Sequence, residues 1–284
     1  MPRYAYVNGR YLPHRLAQVH IEDRGYQFAD GVYEVILIHD GRLIDEEPHL
    51  DRLGYSLEAL RIPWPMTRPA LRLVLRELIT RNGVASGIVY VQVTRGVAAR
   101  DHKFPGRATP ALVATTKRQK PAAAALSAGV AVITQPDIRW RRCDIKSVSL
   151  LPNILAKQAA AEAGAFEAWM VDADGRVTEG SSTNAWIVTH AGRLVTRNLS
   201  AAILSGITRL SLLQMVSSEG IAFEERPFSV AEAKDAAEAF LTSTTSLVLP
   251  VTRIDGAAVG DGKPGPLTLK LRDHYLRYLA APPS

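Results

Sequence analysis

The chain contains few of the residues that mark secreted, metal-binding or nucleic-acid-binding proteins. Cys143 is the only cysteine among 284 residues, so an internal disulfide is impossible and we expect a reducing, cytoplasmic location. None of the seven histidines stands at metal-ligand spacing from cysteine or carboxylates, which leaves a metal site without support. Aromatic residues make up 7%, and the basic residues behind the net charge of +6 are scattered, which argues against a nucleic-acid partner.

Long hydrophobic runs are also missing. No run approaches the roughly 18 residues of a membrane-spanning helix, and the first residues, MPRYAYVNGRYLPHR, contain no apolar signal core, so we expect no membrane partner. What is present is an ordinary globular composition, 47% hydrophobic and 22% charged. A chain of this length suits one large domain or two modest ones, and we expect two.

The first part of the chain combines a hairpin with two amphipathic helices. An Asn8-Gly9 pair between two short apolar runs predicts a β-hairpin. Leucines at helical spacing predict helices over residues 46–60 and 67–81. Thr67 is the expected N-cap of the second helix, and Asn82-Gly83 is its expected end.

A polar segment with Pro121, followed by an alanine run, separates this part from the rest of the chain. We predict a small N-terminal α/β domain over residues 1–118, a linker over 119–128 and a larger domain over 129–284, in which strands alternate with short helices. The expected fold class is α+β.

Lys146 has the most unusual setting of any charged residue. It stands in Asp144-Ile145-Lys146-Ser147-Val148, an apolar and β-branched context that predicts a buried strand end before a Leu-Leu-Pro-Asn turn and an alanine-rich helix. Burial disfavours an ammonium group and produces the neutral amine that attacks a carbonyl to form a Schiff base. The alternative is a lysine whose head reaches solvent. Lys157, on the alanine-rich helix, is expected on a solvated face.

Other segments carry groups of the kind that bind a phosphorylated ligand. Ser205-Gly206 opens a predicted helix, whose first N–H groups and Thr208 hydroxyl suit a phosphate. The hydroxyl cluster 242–246 and Arg52 add further donors. Glu179 is an isolated carboxylate in a Gly/Ser turn. Each signal alone is equally compatible with an ordinary helix cap or turn.

Two loops remain open to two interpretations. The segment 22–35 contains two glycines and three aromatic residues just before a predicted strand, and it is either a packed loop or a binding loop. The segment 95–105 concentrates cations and is either a solvated basic loop or a ligand-binding loop.

Together these segments resemble the motifs of fold type IV pyridoxal-phosphate enzymes, and are most similar to those of D-amino-acid transaminases. Departures from some members are small, at Pro152-Asn153, Thr183 and Ser205. The matching blocks follow in order along nearly the whole chain: DRGYQFADGVYEV (23–35), HLDR (49–52), VTRGVAARDHKFP (93–105), RWRRCDIKSVSLLPNILAKQ (139–158), VTEGSSTN (177–184), ILSGITR (203–209) and TSTTS (242–246).

The resemblance implies a two-domain fold whose larger, C-terminal domain has a pseudo-barrel β core. It implies that Lys146 binds pyridoxal 5'-phosphate as a Schiff base and shuttles a proton during catalysis, and that Glu179 pairs with the pyridine nitrogen. The other implied contacts to the cofactor are Arg52, Leu204, Ile207, Thr208, Ser243 and Thr244. The implied contacts to the substrate carboxylate are Tyr33, Arg100 and His102.

The activity implied by the resemblance is transamination between D-amino acids, such as D-alanine, D-glutamate and D-aspartate, and 2-oxo acids. A homodimer is implied as well. A transaminase for branched-chain L-amino acids or R-amines is the alternative within the same fold, and an aminodeoxychorismate lyase is a more distant one. A non-catalytic binding protein with basic loops would have no use for both Lys146 and Glu179.

Overall fold

The computed structural model describes residues 3–119 and 123–281. The chain forms two compact units. Unit 1 comprises Met1–Lys120 together with Ile145–Ser149, and unit 2 comprises Pro121–Asp144 together with Leu150–Ser284.

Unit 1 is built from an antiparallel sheet and two long helices. The sheet has six strands in the order β2-β1-β6-β5-β3-β4, and all neighbouring strands are antiparallel. A short 3₁₀ helix, His14–Leu16, follows the first hairpin. The elements are β1 (Tyr4–Val7), β2 (Arg10–Pro13), α1 (Arg24–Phe28), β3 (Gly31–His39), β4 (Arg42–Leu43), α2 (Glu46–Ala59), α3 (Arg68–Asn82), β5 (Gly87–Thr94) and β6 (Ala111–Arg118).

Local sequence explains most of these boundaries. Asn8 and Gly9 have φ values of 45° and 91°, the left-handed conformation that a two-residue hairpin turn requires, so the predicted hairpin is confirmed. The Thr67 hydroxyl accepts a hydrogen bond from the Ala70 amide at the start of α3, and Gly83 ends that helix with a φ of 56°. Both predicted amphipathic helices are therefore confirmed within about two residues.

The core of unit 1 lies where α2 and α3 pack on one face of the sheet. Six of the seven leucines that predicted the helices are buried in it, and Leu60 is partly buried against it; the six are Leu50, Leu53, Leu57, Leu71, Leu75 and Leu78. Full burial of a leucine side chain contributes roughly 1.5–3 kcal/mol, so these helices are held mainly by their apolar faces.

Residues 145–149 lie in unit 1, although the chain on both sides of them belongs to unit 2. The buried Ile145 side chain joins the unit 1 core, the Val148 amide donates to the Gly31 carbonyl, and Ser147 forms an isolated bridge with Val32. The predicted strand end at 144–148 is wrong, because these contacts hold an irregular segment and only Ser147 pairs with a strand.

Unit 2 is built on a mixed sheet of nine strands with helices around it. The order is β12-β11-β10-β13-β14-β7-β8-β9, and β15 pairs with β14; the pairs β11/β12, β14/β7 and β7/β8 are parallel. The elements are α4 (Ala123–Ala128), β7 (Val130–Pro136), α5 (Leu151–Glu162), β8 (Glu167–Val171), β9 (Val177–Gly180), β10 (Asn184–Val188), β11 (Leu194–Thr196), α6 (Ile207–Ser218), β12 (Phe223–Glu225), α7 (Val230–Lys234), β13 (Glu238–Ser243), β14 (Leu247–Ile254), β15 (Ala257–Ala258) and α8 (Pro266–Ala280).

Unit 2 curls its sheet into a half-barrel around an apolar interior. Trp169 and Phe228 meet edge to face in that interior with their ring centroids 6.3 Å apart, and both are fully buried. The two units together confirm the predicted α+β class.

The segment predicted as a linker, 119–128, contains the short helix α4, while its residues 120–122 lie outside the described part of the chain. Among the described helices, none combines the length and the apolar character needed to cross a membrane. Within residues 3–119 and 123–281, no cluster of histidine, cysteine and carboxylate groups is placed to hold a metal ion.

Candidate active site

Lys146 is held at its backbone by two different elements of unit 1. The Tyr33 amide of β3 donates to the Lys146 carbonyl at 3.0 Å, and the Lys146 amide donates to the Ser56 hydroxyl of α2 at 3.2 Å. The half-buried side chain places its Nζ atom 4.3 Å from the centroid of the Tyr33 ring. The structure therefore brings together two residues that the sequence predicted for one site, and it fixes the start of the lysine side chain.

Arg52 is part of a buried ionic network on the same face of α2 as Ser56. Its guanidinium donates from Nε and Nη2 to the two oxygens of the Glu34 carboxylate, both at 2.8 Å. His49, one turn earlier, has its Nδ1 atom 2.8 Å from the same carboxylate. Two parallel charge-assisted bonds hold a guanidinium in one orientation. Glu34 thus orients the arginine predicted to bind phosphate.

The charges in this network are set by burial and by Arg52. Burial alone raises the pKa of the Glu34 carboxyl, but the guanidinium of Arg52, aided by His49, lowers it to about 2. Burial lowers the pKa of His49 below its ordinary value of 6.5, against the opposing effect of Glu34. At pH 7 the network is therefore a carboxylate, a guanidinium and a neutral imidazole that donates from Nδ1.

Arg100 and His102 lie on an exposed loop of unit 1, where both contact Phe28. The guanidinium carbon of Arg100 is 4.8 Å from the centroid of the Phe28 ring, and the His102 ring centroid is 5.4 Å from it. Tyr33 instead stacks on Tyr90, with centroids 5.6 Å apart. One aromatic ring therefore brings Arg100 and His102 together, while Tyr33 lies beside Lys146.

Glu179 is the one acidic residue of β9 in unit 2 and is buried. The Arg139 guanidinium forms an ion pair with it, the Leu204 amide donates to it at 3.1 Å and the Asn184 side-chain amide at 3.0 Å. Arg139 is also bound to both oxygens of Asp137, at 2.9 and 2.7 Å. One guanidinium thus serves two carboxylates.

The neighbours of Glu179 stabilise its charged form less than the neighbours of Glu34 stabilise that of Glu34. Burial raises its pKa above the ordinary value, and the effects of Arg139 and of the Leu204 amide oppose that rise only in part. Arg139 itself is buried, which opposes its charge, yet Asp137 and Glu179 raise its pKa so that it stays charged. A further cation next to Glu179 is therefore electrostatically favourable.

The amino end of α6 lies next to Glu179. Asn184 connects the two, because its side-chain amide also donates to the Leu204 carbonyl at 3.1 Å. Gly206 precedes the helix without any side-chain cap, and a side chain there would place its Cβ 2.0 Å from the Asn184 Oδ1 atom. Ile207 and Thr208, predicted to bind phosphate, form the first turn and are buried. Their amides point along the positive end of the helix dipole.

Ser243 and Thr244 lie at the turn between β13 and β14. The Ser243 hydroxyl accepts from the Ser246 amide at 3.0 Å and is 3.4 Å from the Thr245 hydroxyl. Thr244 is half-buried in the turn itself. The predicted hydroxyl cluster is therefore an ordered hairpin turn.

Lys157 has a structural partner that the sequence did not predict. Its half-exposed Nζ atom donates to the Phe166 carbonyl and is 3.6 Å from the fully buried Glu167 carboxylate. Glu167 also accepts from the hydroxyls of Ser181 and Ser182, which follow Glu179 in the chain. Glu167 therefore ties α5 to the turn after β9.

Sequence reasoning missed Glu34, Arg139 and Glu167. The first two bind predicted site residues, and Glu167 holds the turn after β9. Glu34 and Glu167 did carry a signal, since Glu34 lies inside a mostly apolar strand and Glu167 begins one. Arg139 carried none, because it stands among the neighbouring arginines Arg141 and Arg142.

Comparison with known proteins agrees with this chemistry. The model of the family described as amino-transferase class IV matches residues 31–254. The chain is 44% identical to a D-alanine aminotransferase of Bacillus licheniformis over 262 residues, which cover 92% of each chain.

Solved structures share the fold. A branched-chain amino acid aminotransferase of Escherichia coli superposes with a TM-score of 0.91 at 23% identity, covering 98% of this chain and 95% of that one. The T.th. branched-chain amino acid aminotransferase with pyridoxamine 5'-phosphate gives a TM-score of 0.89 at 26% identity, covering 98% and 94%. These neighbours confirm the fold type IV architecture that the resemblance implied.

A lysine whose backbone is held by two elements and a carboxylate buried beside a helix amino end are groups of the kind that amino-group transfer requires. The family match extends over the residues that carry them. The chain belongs to the class IV amino-transferases.

Proposed function

We propose that this chain is a pyridoxal-phosphate-dependent transaminase that moves the amino group of D-amino acids to 2-oxo acids. The observation that carries the proposal is the placement of Lys146, whose backbone is fixed from β3 and α2 and whose amine lies over Tyr33. The D-substrate preference is supported by the D-alanine aminotransferase names of its relatives, for example one of Staphylococcus haemolyticus that is 39% identical over 96% of this chain.

The donor groups present fit pyridoxal phosphate. The cofactor needs an amine for its aldehyde, a carboxylate for its pyridine nitrogen and several donors for its phosphate. Lys146 offers the amine, and Glu179 offers a buried carboxylate that favours a further cation. Phosphate donors are available from Arg52, from the uncapped first turn of α6 and from hydroxyl groups. We assign Arg52, Ile207, Thr208, Ser243 and Thr244 to the phosphate and Leu204 to the ring.

When bound, the cofactor supplies an electron sink that weakens the bonds at the substrate Cα atom. The protein's part is to hold groups and to move protons. Lys146 would hold the cofactor through Nζ, and its free amine would take the proton from the substrate Cα. Glu179 would keep a proton on the pyridine nitrogen, which maintains the sink. Glu34 holds the guanidinium of Arg52 in one orientation, and that guanidinium would bind the phosphate.

We assign Tyr33, Arg100 and His102 to the substrate carboxylate. A planar guanidinium matches a carboxylate, and an imidazole adds a second donor. The position of this anchor decides which enantiomer presents its Cα–H bond to Lys146, so reversing the anchor reverses the preferred hand. A branched-chain L-amino-acid transaminase is the second candidate, because the T.th. neighbour is named a branched-chain amino acid aminotransferase at 26% identity.

The proposal is tested on the purified protein. A visible absorption band that borohydride removes, with the reduced cofactor mapped to Lys146, supports it, and the variant Lys146→Ala loses both the band and turnover. A label on Lys157 overturns the assignment of the lysine. Assays with both enantiomers of alanine, glutamate and leucine decide the substrate: faster turnover of L-leucine than of every D-amino acid overturns the D-preference and leaves the transaminase standing.

We also propose a cytoplasmic homodimer. Leu151, Ile154 and Leu155, on one side of α5, are 66%, 58% and 55% exposed, an apolar strip of the kind that self-association covers. Cys143 is a buried free thiol, as suits a reducing compartment. Light scattering of the wild type and of Leu155→Glu tests the dimer, which the charge should weaken; a monomeric wild type contradicts it.

A further inference from the structure

We propose that residues 22–30, here called the mount, position the substrate-carboxylate groups Arg100 and His102, with Phe28 as the residue that orients both side chains. The inference rests on the proposed function, because it takes those two residues as the anchor. It assigns a role to the DRGYQFAD motif, which the sequence left open between a packed loop and a binding loop.

The mount is attached to the start of the loop that carries the anchor, residues 95–105, here called the anchor loop. Asp23 and Val97 form an antiparallel bridge, with the Arg24 amide donating to the Gly96 carbonyl at 3.0 Å and the Ala98 amide to the Glu22 carbonyl at 3.3 Å. Gly25 permits the close approach, since a Cβ there would lie 2.2 Å from the Thr94 Cγ2 atom. The base of the anchor loop therefore follows the backbone of the mount.

The largely buried carboxylate of Asp30 joins the mount to the anchor loop a second time. Asp30 accepts from Nε of Arg24 at 2.7 Å and from Nε and Nη2 of Arg95 at 2.7 and 2.9 Å. These three side chains are 11%, 4% and 7% exposed, so their mutual attraction is only weakly screened. Asp30 therefore holds the guanidinium groups of both Arg24 and Arg95 in place.

Both arginines also contact the exposed part of the anchor loop. Arg24 donates from Nη1 to the carbonyl of Asp101 at 2.6 Å, which fixes the backbone between the two anchor residues. The guanidinium carbon of Arg95 lies 3.7 Å from the centroid of the Phe104 ring, two residues beyond His102. The chain is therefore held by a buried arginine on each side of His102, at the backbone of Asp101 and at the side chain of Phe104.

Phe28 then sets the direction of the anchor side chains. With the Asp101 carbonyl fixed, the flanking side chains of Arg100 and His102 both lie against the Phe28 ring, at 4.8 and 5.4 Å. An aromatic face attracts cations, and a guanidinium lying on it keeps its N–H edges available for a carboxylate in its own plane. The ring holds the exposed side chains of Arg100 and His102 as a preorganised pair, which lowers the cost of binding a carboxylate.

The test compares Phe28→Leu with a matched control on the same helix. Phe28→Leu keeps an apolar side chain and removes the aromatic face, while Tyr26→Leu makes the same kind of change at a 75% exposed position. The measured quantities are KM and kcat for D-alanine and the inhibition constant of propionate, which offers a carboxylate without an amine.

For Phe28→Leu we expect KM and the propionate inhibition constant to rise together by about 2- to 30-fold, the range of one cation–π contact, with kcat changing less. Phe28→Tyr should lie nearer the wild type than Phe28→Leu. Tyr26→Leu should leave both constants within about twofold. Trypsin should cleave the Phe28→Leu holoenzyme faster at Arg100 and Lys103, an effect independent of turnover. If Phe28→Leu does not fold, Arg24→Lys, which loses the bond to the Asp101 carbonyl, takes its place with the same expected changes.

Arg100→Ala separates this inference from the proposed function. A rise in both constants for Arg100→Ala without any rise for Phe28→Leu and Arg24→Lys overturns the positioning role and leaves the anchor intact. If KM and the propionate inhibition constant are unchanged in Arg100→Ala, Arg100 does not bind the substrate carboxylate and the assignment of the anchor is wrong. Equal rises for Phe28→Leu and Tyr26→Leu also overturn the inference, because they indicate a general loosening of the helix.

Discussion

Glu34 in unit 1 and Glu179 in unit 2 are both buried carboxylates facing an arginine, yet their pKa values move in opposite directions. Glu34 accepts two parallel bonds from Arg52 and lies beside His49, and their effects more than offset its burial. Glu179 shares Arg139 with Asp137, and its burial is offset only in part. A buried carboxylate that accepts two parallel bonds from one guanidinium keeps a low pKa, whereas one whose guanidinium is also bound to a second carboxylate has a raised pKa and favours a further cation.

The largest expected effect is that of Glu179→Gln on turnover. The amide keeps the shape but cannot hold a proton on the pyridine nitrogen, so kcat should fall by about 10²- to 10⁴-fold with the cofactor still bound. The free energy of unfolding of the apoprotein should change by less than about 1 kcal/mol, because the charge removed is poorly compensated. Steady-state kinetics and urea unfolding measure the two effects. Near wild-type turnover would contradict the assignment of Glu179 to the pyridine nitrogen.

Glu34→Gln should show the reverse pattern. It leaves Arg52 without its carboxylate, and breaking a buried pair from one side costs about 3–5 kcal/mol of unfolding free energy. Cofactor affinity should fall, while kcat at saturating cofactor should fall less than in Glu179→Gln. The control is Glu77→Gln, whose half-exposed helix pair with Arg81 is worth about 0.3–0.5 kcal/mol. Equal destabilisation by both variants would contradict the assignment of Glu34 as the structural partner.

Acid should weaken the fold through Glu34. Its pKa falls from an ordinary 4.5 to about 2 in the folded protein, so its contribution is complete above pH 4.5 and is lost as the pH falls toward 2. The shift corresponds to about 3 kcal/mol. Asp30 and Asp137 have lowered pKa values and add to the loss in the same direction. Urea unfolding from pH 6 to 3 should show a smaller slope for Glu34→Gln, and an equal slope would contradict the prediction.

The smallest effect concerns Glu167, a third buried carboxylate, whose partners are hydroxyl groups and the 45% exposed Lys157. Because solvent screens this lysine, Lys157→Met should cost less than about 1 kcal/mol of unfolding free energy and change kcat by about twofold or less. Thermal unfolding and kinetics measure this. A loss of the cofactor band in this variant would contradict the assignment of Lys146.

Features that depend on neighbouring residues were predictable. The Asn8-Gly9 hairpin, the Thr67 cap and the Gly83 helix end each result from a few adjacent residues, and the leucine spacing of α2 and α3 identified their buried faces. The five-residue helix α1 was missed: Asp23 caps it locally, but the helix is short, and its contact with Thr94 joins residues 71 positions apart in the chain.

Only part of the setting of Lys146 could be predicted from its neighbours in the chain. Its apolar neighbours identified it as unusual, and the buried Ile145 beside it confirms that context. Its assignment to unit 1 was not predictable, because it results from hydrogen bonds with Tyr33 and Ser56, about 110 and 90 residues earlier in the chain.

The transaminase family and the residue types on which the site assignments rest could be inferred from the sequence alone, because they lie in short motifs whose chemistry depends on residue identity. The pairing of each arginine with its carboxylate could be seen only in the folded chain. Glu34 pairs with Arg52, 18 positions away, and Glu179 with Arg139, 40 positions away, and the opposite pKa directions follow from those pairings. Electrostatic energy depends on distance and burial in space, and neither is written in the order of residues along a chain.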